Sequence, residues 1–449
     1  MKNRSHRSAL AAILLLALPA LDLQAQEDPL QSGPMVGRAE MQEVEIWAQT
    51  RTPALVRVYY REKSAPSRRF ATALVQTQTR DACVAHLLAD SVKPGRVYTY
   101  EVEINGRNAP RAWPLEFRTP PLWQWRGDPP SFTVATGSCA YINQEEHDRP
   151  GSPYGGDYRI FASIAGRRPE IMLWLGDNVY LREVDWNSRT GYLRRYTHTR
   201  SIPEMGPLLG ASSNYAIWDD HDYGPNNSDR GFREKETALE VFRLFWCNPT
   251  YGTREMPGIA TSFEWGDAEF FLLDNRWNRS PNDRVTGERQ ILGDRQIEWL
   301  IDRLSASTAT FRIVALGGQL LNPVARFENH ATYPEERQKL IDAITTARIP
   351  GVILLSGDRH CTELSMLPRQ GAYPLYELTV SPLTSRAFDN STEPNTLRVD
   401  GTHLGRRNFA TLAFSGPLKE RVVTIRVFDV DGAMIWERSI KAGDLGSGS

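Results

Sequence analysis

The chain carries almost no net charge. Its 53 Lys and Arg face 54 Asp and Glu, which leaves −1 at neutral pH. This excludes nucleic-acid or anionic-membrane binding driven by overall charge. Long apolar runs are missing beyond the first residues, so no later stretch is expected to span a membrane. Cysteines are few: Cys83, Cys139, Cys247 and Cys361. An even number allows disulfides in an oxidising compartment, yet it fixes no pairing. Internal repeats are absent. The rest is ordinary globular composition, 41% hydrophobic and 24% charged, over 449 residues, a length that predicts two domains.

The start has the pattern of a targeting segment. Lys2, Arg4 and Arg7 precede an apolar stretch over 9–20, and Ala25 closes a cleavage site before Gln26 or Glu27. The apolar stretch is short for a membrane anchor, so residues 1–25 are expected to be a cleaved signal peptide. No twin-arginine pair and no nearby cysteine is present, which favours general secretion without lipidation. An exported protein, periplasmic or extracellular, is the expectation.

Residues 26–121 are rich in short β-type runs separated by turns such as Lys93-Pro94-Gly95 and Asn105-Gly106. Runs over 44–48, 54–60, 71–76 and 97–104 predict strands, and the segment 92–100 resembles the tyrosine corner of fibronectin III-like sandwiches. A β-sandwich is expected here. Pro120-Pro121 and Asp128-Pro129-Pro130 mark a linker. Over 131–442 strands then alternate with helices, which predicts an α+β or α/β domain of packed sheets with helices outside. A hairpin is expected at Gly266-Asp267, a long helix over 287–304, and disorder over 443–449.

Within that domain one stretch organises the others. Residues 171–175 form a wholly apolar strand, and Asp177 follows directly on its loop. The stretches 131–139, 214–222 and 351–360 repeat the plan. They end in Cys139; in Asp219, Asp220 and His221; and in Asp358 and His360. Functional groups collect at the carboxyl ends of such strands. Four endings of this kind predict loops converging on a dinuclear metal site. Asp177 is the expected bridge between the ions. Cys139, Tyr180 and His360 would supply thiolate, phenolate and imidazole, a set that suits iron. Asp220, Asp358 and the shared Asp177 form an oxygen-rich half that suits Ca²⁺, Mg²⁺ or Mn²⁺, and Gln319 could add an amide oxygen. His221 is assigned to the substrate, as a proton donor to the leaving oxygen, with Asp222 placed to orient it.

Taken one at a time, these residues have bland readings. Cys139 could be a buried thiol, Tyr180 a core aromatic and Asp358 a turn cap. Three acids around His221 are harder to dismiss, because they repel one another unless a cation holds them.

The order Gly-Ser-Cys139, Gly-Asp177-x-x-Tyr180, Asp220-His221-Asp222 and Gly-Asp358-x-His360 resembles the PhoD-type alkaline phosphatases, a branch of the calcineurin-like metallophosphoesterases. Asp274-Asn-Arg276, the segment 292–300 and the leading sandwich resemble that branch as well. The resemblance implies a four-layer αββα metallophosphoesterase domain. It also implies Fe³⁺ with Ca²⁺, with Zn²⁺, Mn²⁺ and Mg²⁺ as alternatives, and a hydrolase acting on phosphomonoesters and phosphodiesters. Arg276 would hold a non-bridging phosphoryl oxygen. Two other readings stay open: a phosphodiesterase of wall polymers or phospholipid headgroups, and a glycan-binding protein whose second domain is catalytically dead. Metal content separates the last from the others.

Overall fold

The computed structural model describes residues 28–446. The expected signal peptide over 1–25 lies outside the described residues. The strands of the leading β part run from Leu30–Ala39 to Glu116–Arg118 and form two sheets. One pairs Leu30–Ala39, Val44–Thr50 and Val84–Ala89; the other is built around Leu55–Glu62 and Val97–Ile104. The expected tyrosine corner is present: Tyr98 Oη accepts from the backbone N–H of Lys93 at 2.8 Å. The strand expected over 71–76 is broken into Arg69–Ala71 and Val75–Gln76, both paired with Leu55–Glu62.

Two six-stranded sheets follow. In the first, Ser213–Ile217, Ile171–Leu175 and Phe132–Gly137 lie parallel; Asn408–Ser415, Val422–Asp429 and Met434–Lys441 continue it antiparallel. In the second, Ala268–Leu272, Phe311–Ala315, Val352–Ser356 and Ala372–Thr379 lie parallel, with antiparallel Thr261–Trp265 and Glu363–Arg369 at its edges. The sheets meet face to face. Tyr215 stacks on Phe263 at 3.7 Å between ring centroids, and Phe414 meets Phe270 and Phe311. Side chains alternate across each strand. Phe270, Leu272, Ile313, Ala315, Ile353 and Leu355 therefore enter the core between the sheets. Phe271, Val314, Val352 and Leu354 point outward against helices Asp294–Ala306 and Pro334–Thr346. On the far side Trp174 packs on Phe161 and Trp246, next to helices Ile160–Gly166 and Lys235–Phe245. The result is helix, sheet, sheet, helix, the four layers expected.

Several sequence expectations shift. The helix expected over 287–304 begins only at Asp294. Upstream, the Glu336 carboxylate takes the backbone N–H groups of Ile291, Leu292 and Gly293, so Ile291 and Leu292 are buried in a loop. The disorder expected over 443–449 is corrected as far as residue 446: Ala442–Leu445 forms a 3-10 turn, Leu445 is buried, and its carbonyl accepts from Gly351, while 447–449 lie outside the described residues. The four cysteines are buried and free, so none of the pairings left open is made.

The sandwich is docked tightly on the larger domain. Trp47 Nε1 donates to Leu244 O at 2.9 Å, Ala39 N to Tyr215 Oη at 3.0 Å, and Asn214 Nδ2 to Val36 O at 3.0 Å. His86 bridges Glu45 and Leu244 O. One buried core cluster contains side chains of both parts.

At the end opposite the site, Asp267 sits in the expected hairpin turn and receives Arg421, which immediately precedes the strand Val422–Asp429. Nε and Nη2 reach the carboxylate at 2.8 to 3.1 Å, and both residues are buried. The pair ties the second sheet to the first. Removing one partner strands a buried charge, so Asp267→Ala should cost roughly 3–5 kcal/mol. Urea unfolding followed by tryptophan fluorescence measures this; a loss under about 1 kcal/mol, the range of a surface ion pair, would rule out the tie.

Candidate metal centre

The parallel strands of both sheets finish at one end of the sandwiched pair, and their loops interlock there. Cys139 N donates to Gly176 O at 3.2 Å and Ala140 N to Asp177 O at 2.8 Å. Gly357 N donates to Gly317 O at 2.8 Å. The approach is too close for a side chain at two of these turns. A Cβ on Gly176, whose φ is +92°, would stand 2.8 Å from the Asp219 Cβ. One on Gly317 would stand 2.1 Å from Asn275 Nδ2.

Backbone strain concentrates at the same place. Cys139, Asp177, Asp358 and His360 all have positive φ, between 51° and 66°. Such conformations cost about 1–3 kcal/mol each for non-glycine residues and persist where the surroundings enforce them. Here they aim four side chains of the chain's strand endings into one pocket.

Three groups of donor atoms lie within mutual reach. Cys139, Asp177 and His360 form one, Asp177, Asp220 and His221 the next, and Asp219, Asp220 and Glu328 the third. Asp177 belongs to the first two and Asp220 to the last two. The Cys139 Sγ lies 3.7 Å from Asp177 Oδ2, and Tyr180 Oη 3.4 Å from His360 Nε2. His360 is oriented from behind: its Nδ1 bonds the Arg386 carbonyl, which leaves the Nε2 lone pair facing the pocket. Ser381 links the two endings, accepting from His360 N at 3.0 Å and donating to Cys139 Sγ at 3.2 Å. His221 is half-buried, its ring 4.3 Å from that of Tyr180 and its N–H 3.2 Å from Asp177 Oδ1.

Without a cation this pocket is badly compensated. Burial, then Asp220 and Cys139, holds Asp177 well above the usual carboxylate range. Burial with Asp219 and Asp220 pushes Asp358 up to about 8, and burial lifts the Cys139 thiol to about 12. Burial and Asp177 also raise Tyr180 far up. Asp219 Oδ2, Asp220 Oδ1 and Asn275 Oδ1 are buried with no hydrogen-bond partner. Orphaned acceptors and carboxyls forced to keep protons are what a cation would relieve, so these residues fit metal ions. Cys139, Tyr180, His360 and Asp177 would hold one; Asp177 and Asp220 would hold another, while Asp358 belongs to none of the three groups and lies near enough to feel the Asp219 and Asp220 charges.

Three expected roles are corrected. Gln319 stands apart: Nε2 donates to Glu363 and Thr379, and Oε1 accepts from Asn322 and Arg359, so no amide oxygen is left over. Asp222 does not orient His221. Its Oδ1 accepts from Asn178 N and Val179 N and its Oδ2 from Asp219 N, which pins the Asp177 loop to the short helix Asp220–Tyr223. Arg276 is not free to meet a substrate. It is fully buried, donates from Nε to Asp219 Oδ1 at 2.5 Å, and pairs through Nη2 with Glu328. Glu328 is the acid that sequence reasoning missed; it lies on a loop after residues 311–315 with no local pattern to mark it. Asn275, inside the Asp274-Asn-Arg276 motif, was overlooked in favour of its neighbour. Its Nδ2 donates to Asp219 at 2.7 Å.

Two abutting six-stranded sheets between layers of helices define a fold class, and solved structures share it. A structure titled "Structure of PhoD" superposes with a TM-score of 0.74 over 92% of each chain at 18% identity. The purple acid phosphatase PPD1 from yellow lupin (Lupinus luteus) seeds superposes with a TM-score of 0.64 at 12% identity, over 93% of this chain and 76% of its own. This is the metallophosphoesterase fold. The family model described as PhoD-like phosphatase matches residues 134–415, more than half of the sequence, and the chain belongs to that family. A second model, a domain of unknown function (DUF7800), matches residues 27–122. Alkaline phosphatase D of Bacillus subtilis (strain 168) is 24% identical over 331 residues, 63% of this chain. The alignment spans 54% of that relative, about half its length.

The placement of Arg276 separates two roles by experiment. As a brace for Asp219 and Glu328, Arg276→Gln should lower metal content and thermal stability together. Elemental analysis and a melting curve test this; full metal content with only KM raised would return Arg276 to the substrate.

Proposed function

We propose that this chain is an exported, metal-dependent hydrolase of phosphoric esters, acting on monoesters and also on diesters. The single observation carrying this reading is the composition of the pocket. A thiol, a phenol and an imidazole stand beside Asp177; on its other side Asp177 and His221 meet Asp220, which leads on to the all-oxygen group of Asp219, Asp220 and Glu328. Such asymmetry suits a trivalent iron next to a hard divalent ion, and Fe³⁺ with Ca²⁺ is the proposed pair. When bound, the ions would supply Lewis acidity and a nucleophile at neutral pH. Export is supported by the basic, then apolar, then small-residue start of the chain. Among the described residues no helix is long and apolar enough to cross a membrane.

The protein's own groups have distinct tasks. Tyr180 packs against the His221 ring, limiting its rotation, while Asp177 Oδ1 fixes the His221 backbone. The ring is the most open member of its group and would deliver a proton to the leaving oxygen. Asp222 and Gly176 keep the two loops in contact so that His221 and Asp177 hold their spacing. Tyr141 and Tyr154 pack beside Tyr180 and keep bulk water from that side.

Two measurements test this reading. His221→Ala should keep its metals and lose turnover of alkyl phosphates by ~10²–10⁴-fold, with a smaller loss for nitrophenyl phosphate, whose leaving group needs no proton. Equal losses on both esters would reject the proton-donor role, and loss of metal would make His221 a ligand. Purified protein should also absorb in the visible, from charge transfer between the Tyr180 phenolate and Fe³⁺. Tyr180→Phe should abolish or strongly shift that band; colourless, fully active protein containing zinc would refute the iron assignment.

A further inference from the structure

Two of the buried arginines beside the acids are already committed. Arg276 braces Asp219 and Glu328. Arg359, between Asp358 and His360, gives Nη2 to Glu393 at 2.6 Å and Nη1 to Gln319 at 2.8 Å. Neither has a fork of donors left for a ligand.

Arg386 is placed differently. It lies on the loop after Ser381, and its backbone carbonyl is the group that holds His360 Nδ1. Its side chain is exposed. The guanidinium sits over the Tyr154 ring, 5.5 Å from the centroid, and among the described residues it makes no ion pair and no side-chain hydrogen bond. Tyr154 in turn stands 6.0 Å from the His360 ring and 6.3 Å from the Tyr180 ring. Tyr154 packs against the buried cluster of Cys139, Tyr141 and Tyr180, which makes it part of the pocket's wall. A cation that is exposed and has no ion pair among the described residues thus lies over an aromatic wall of the pocket, on the same loop that orients a donor.

We propose that Arg386 is the phosphoryl-binding cation of this site and biases it toward phosphomonoesters. The proposal rests on the phosphoester reading above. Guanidinium presents paired N–H donors that match two non-bridging oxygens. Stacking on Tyr154 restricts the side chain before the ligand arrives, so less rotamer freedom is lost on contact. A monoester near neutral pH brings close to two negative charges, whereas a diester brings one and has one fewer free oxygen. The contact is therefore stronger for the monoester.

The test uses the full metal-loaded protein. Arg386→Ala should lower kcat/KM for a phosphomonoester by about 10- to 100-fold, the range of a lost charged hydrogen bond, and lower that for the matched diester much less. Arg386→Lys should fall between, since it keeps the charge and loses the fork. Metal content should be unchanged, because the substitution keeps the carbonyl that orients His360. Inorganic phosphate titrated calorimetrically should bind the Ala variant more weakly by a similar factor. Equal losses on both esters, or unchanged phosphate affinity, would overturn the assignment. If the wild type turned over neither ester, the phosphoester reading would fail by itself, and the phosphate titration would still decide on Arg386.

Discussion

Five carboxylates, those of Asp177, Asp219, Asp220, Asp358 and Glu328, share one end of the sheets with the buried guanidinium groups of Arg276 and Arg279, which pair with Asp219 and Glu328. Like charges in a low-dielectric pocket raise one another's affinity for protons, and burial adds to the effect. The surrounding architecture is explicable as the means of keeping them together. Positive φ at Asp177 and Asp358 costs energy that the isolated loops would shed. Interlocked backbone hydrogen bonds, the Asp222 clamp and the Arg276 brace prevent that relaxation. The opposite end, closed by Asp267 and Arg421, holds the sheets in register so that their carboxyl ends stay level.

This constraint explains what could be read from the sequence. An apolar run ending in an acid encodes both a buried strand and the residue presented at its tip, so residues 171–177, 214–220 and 352–358 marked three strands and the acids that the structure places beyond their ends. The same logic located Cys139 and His360. The hairpin at Asp267 and the Tyr98 corner were legible because turn chemistry is local. The central strand Asn408–Ser415 was not legible. It is short of β-branched residues, is buried along most of its length, and so lacks the alternation that marks an exposed strand.

Partnerships across the fold were the harder part. Asp222 stands beside His221 in sequence, but its side chain turns back to three backbone N–H groups, a choice fixed by the Asp177 loop 44 residues upstream. Arg276 was given to the substrate, whereas in the structure its donors are spent on Asp219 and on Glu328, a partner 52 residues downstream with no local signature. The helix start was misjudged at Gly287 for the same reason: the Glu336 carboxylate that captures the N–H groups of residues 291–293 lies 45 residues from Ile291. Residue type announces which chemistry is available; distant pairing decides whether it is already used.

The docking of the leading sandwich has a consequence for how this chain can vary. Trp47, Val36, Ala39 and His86 reach the strand Ser213–Ile217 and the end of the helix Lys235–Phe245, elements whose other sides support Asp219 and the Asp220–Tyr223 turn. The sandwich thus serves as part of the wall behind the metal centre. Its inner face is bound to the packing of the larger domain, and drift there must be matched across the seam. The sheet around Leu55–Glu62 shares that tie where Tyr100 Oη donates to Gly210 O at 2.9 Å, but its outward side chains, such as Leu55 and Arg61, are not part of the core, and novelty in what the protein meets outside can accumulate there without disturbing the chemistry within.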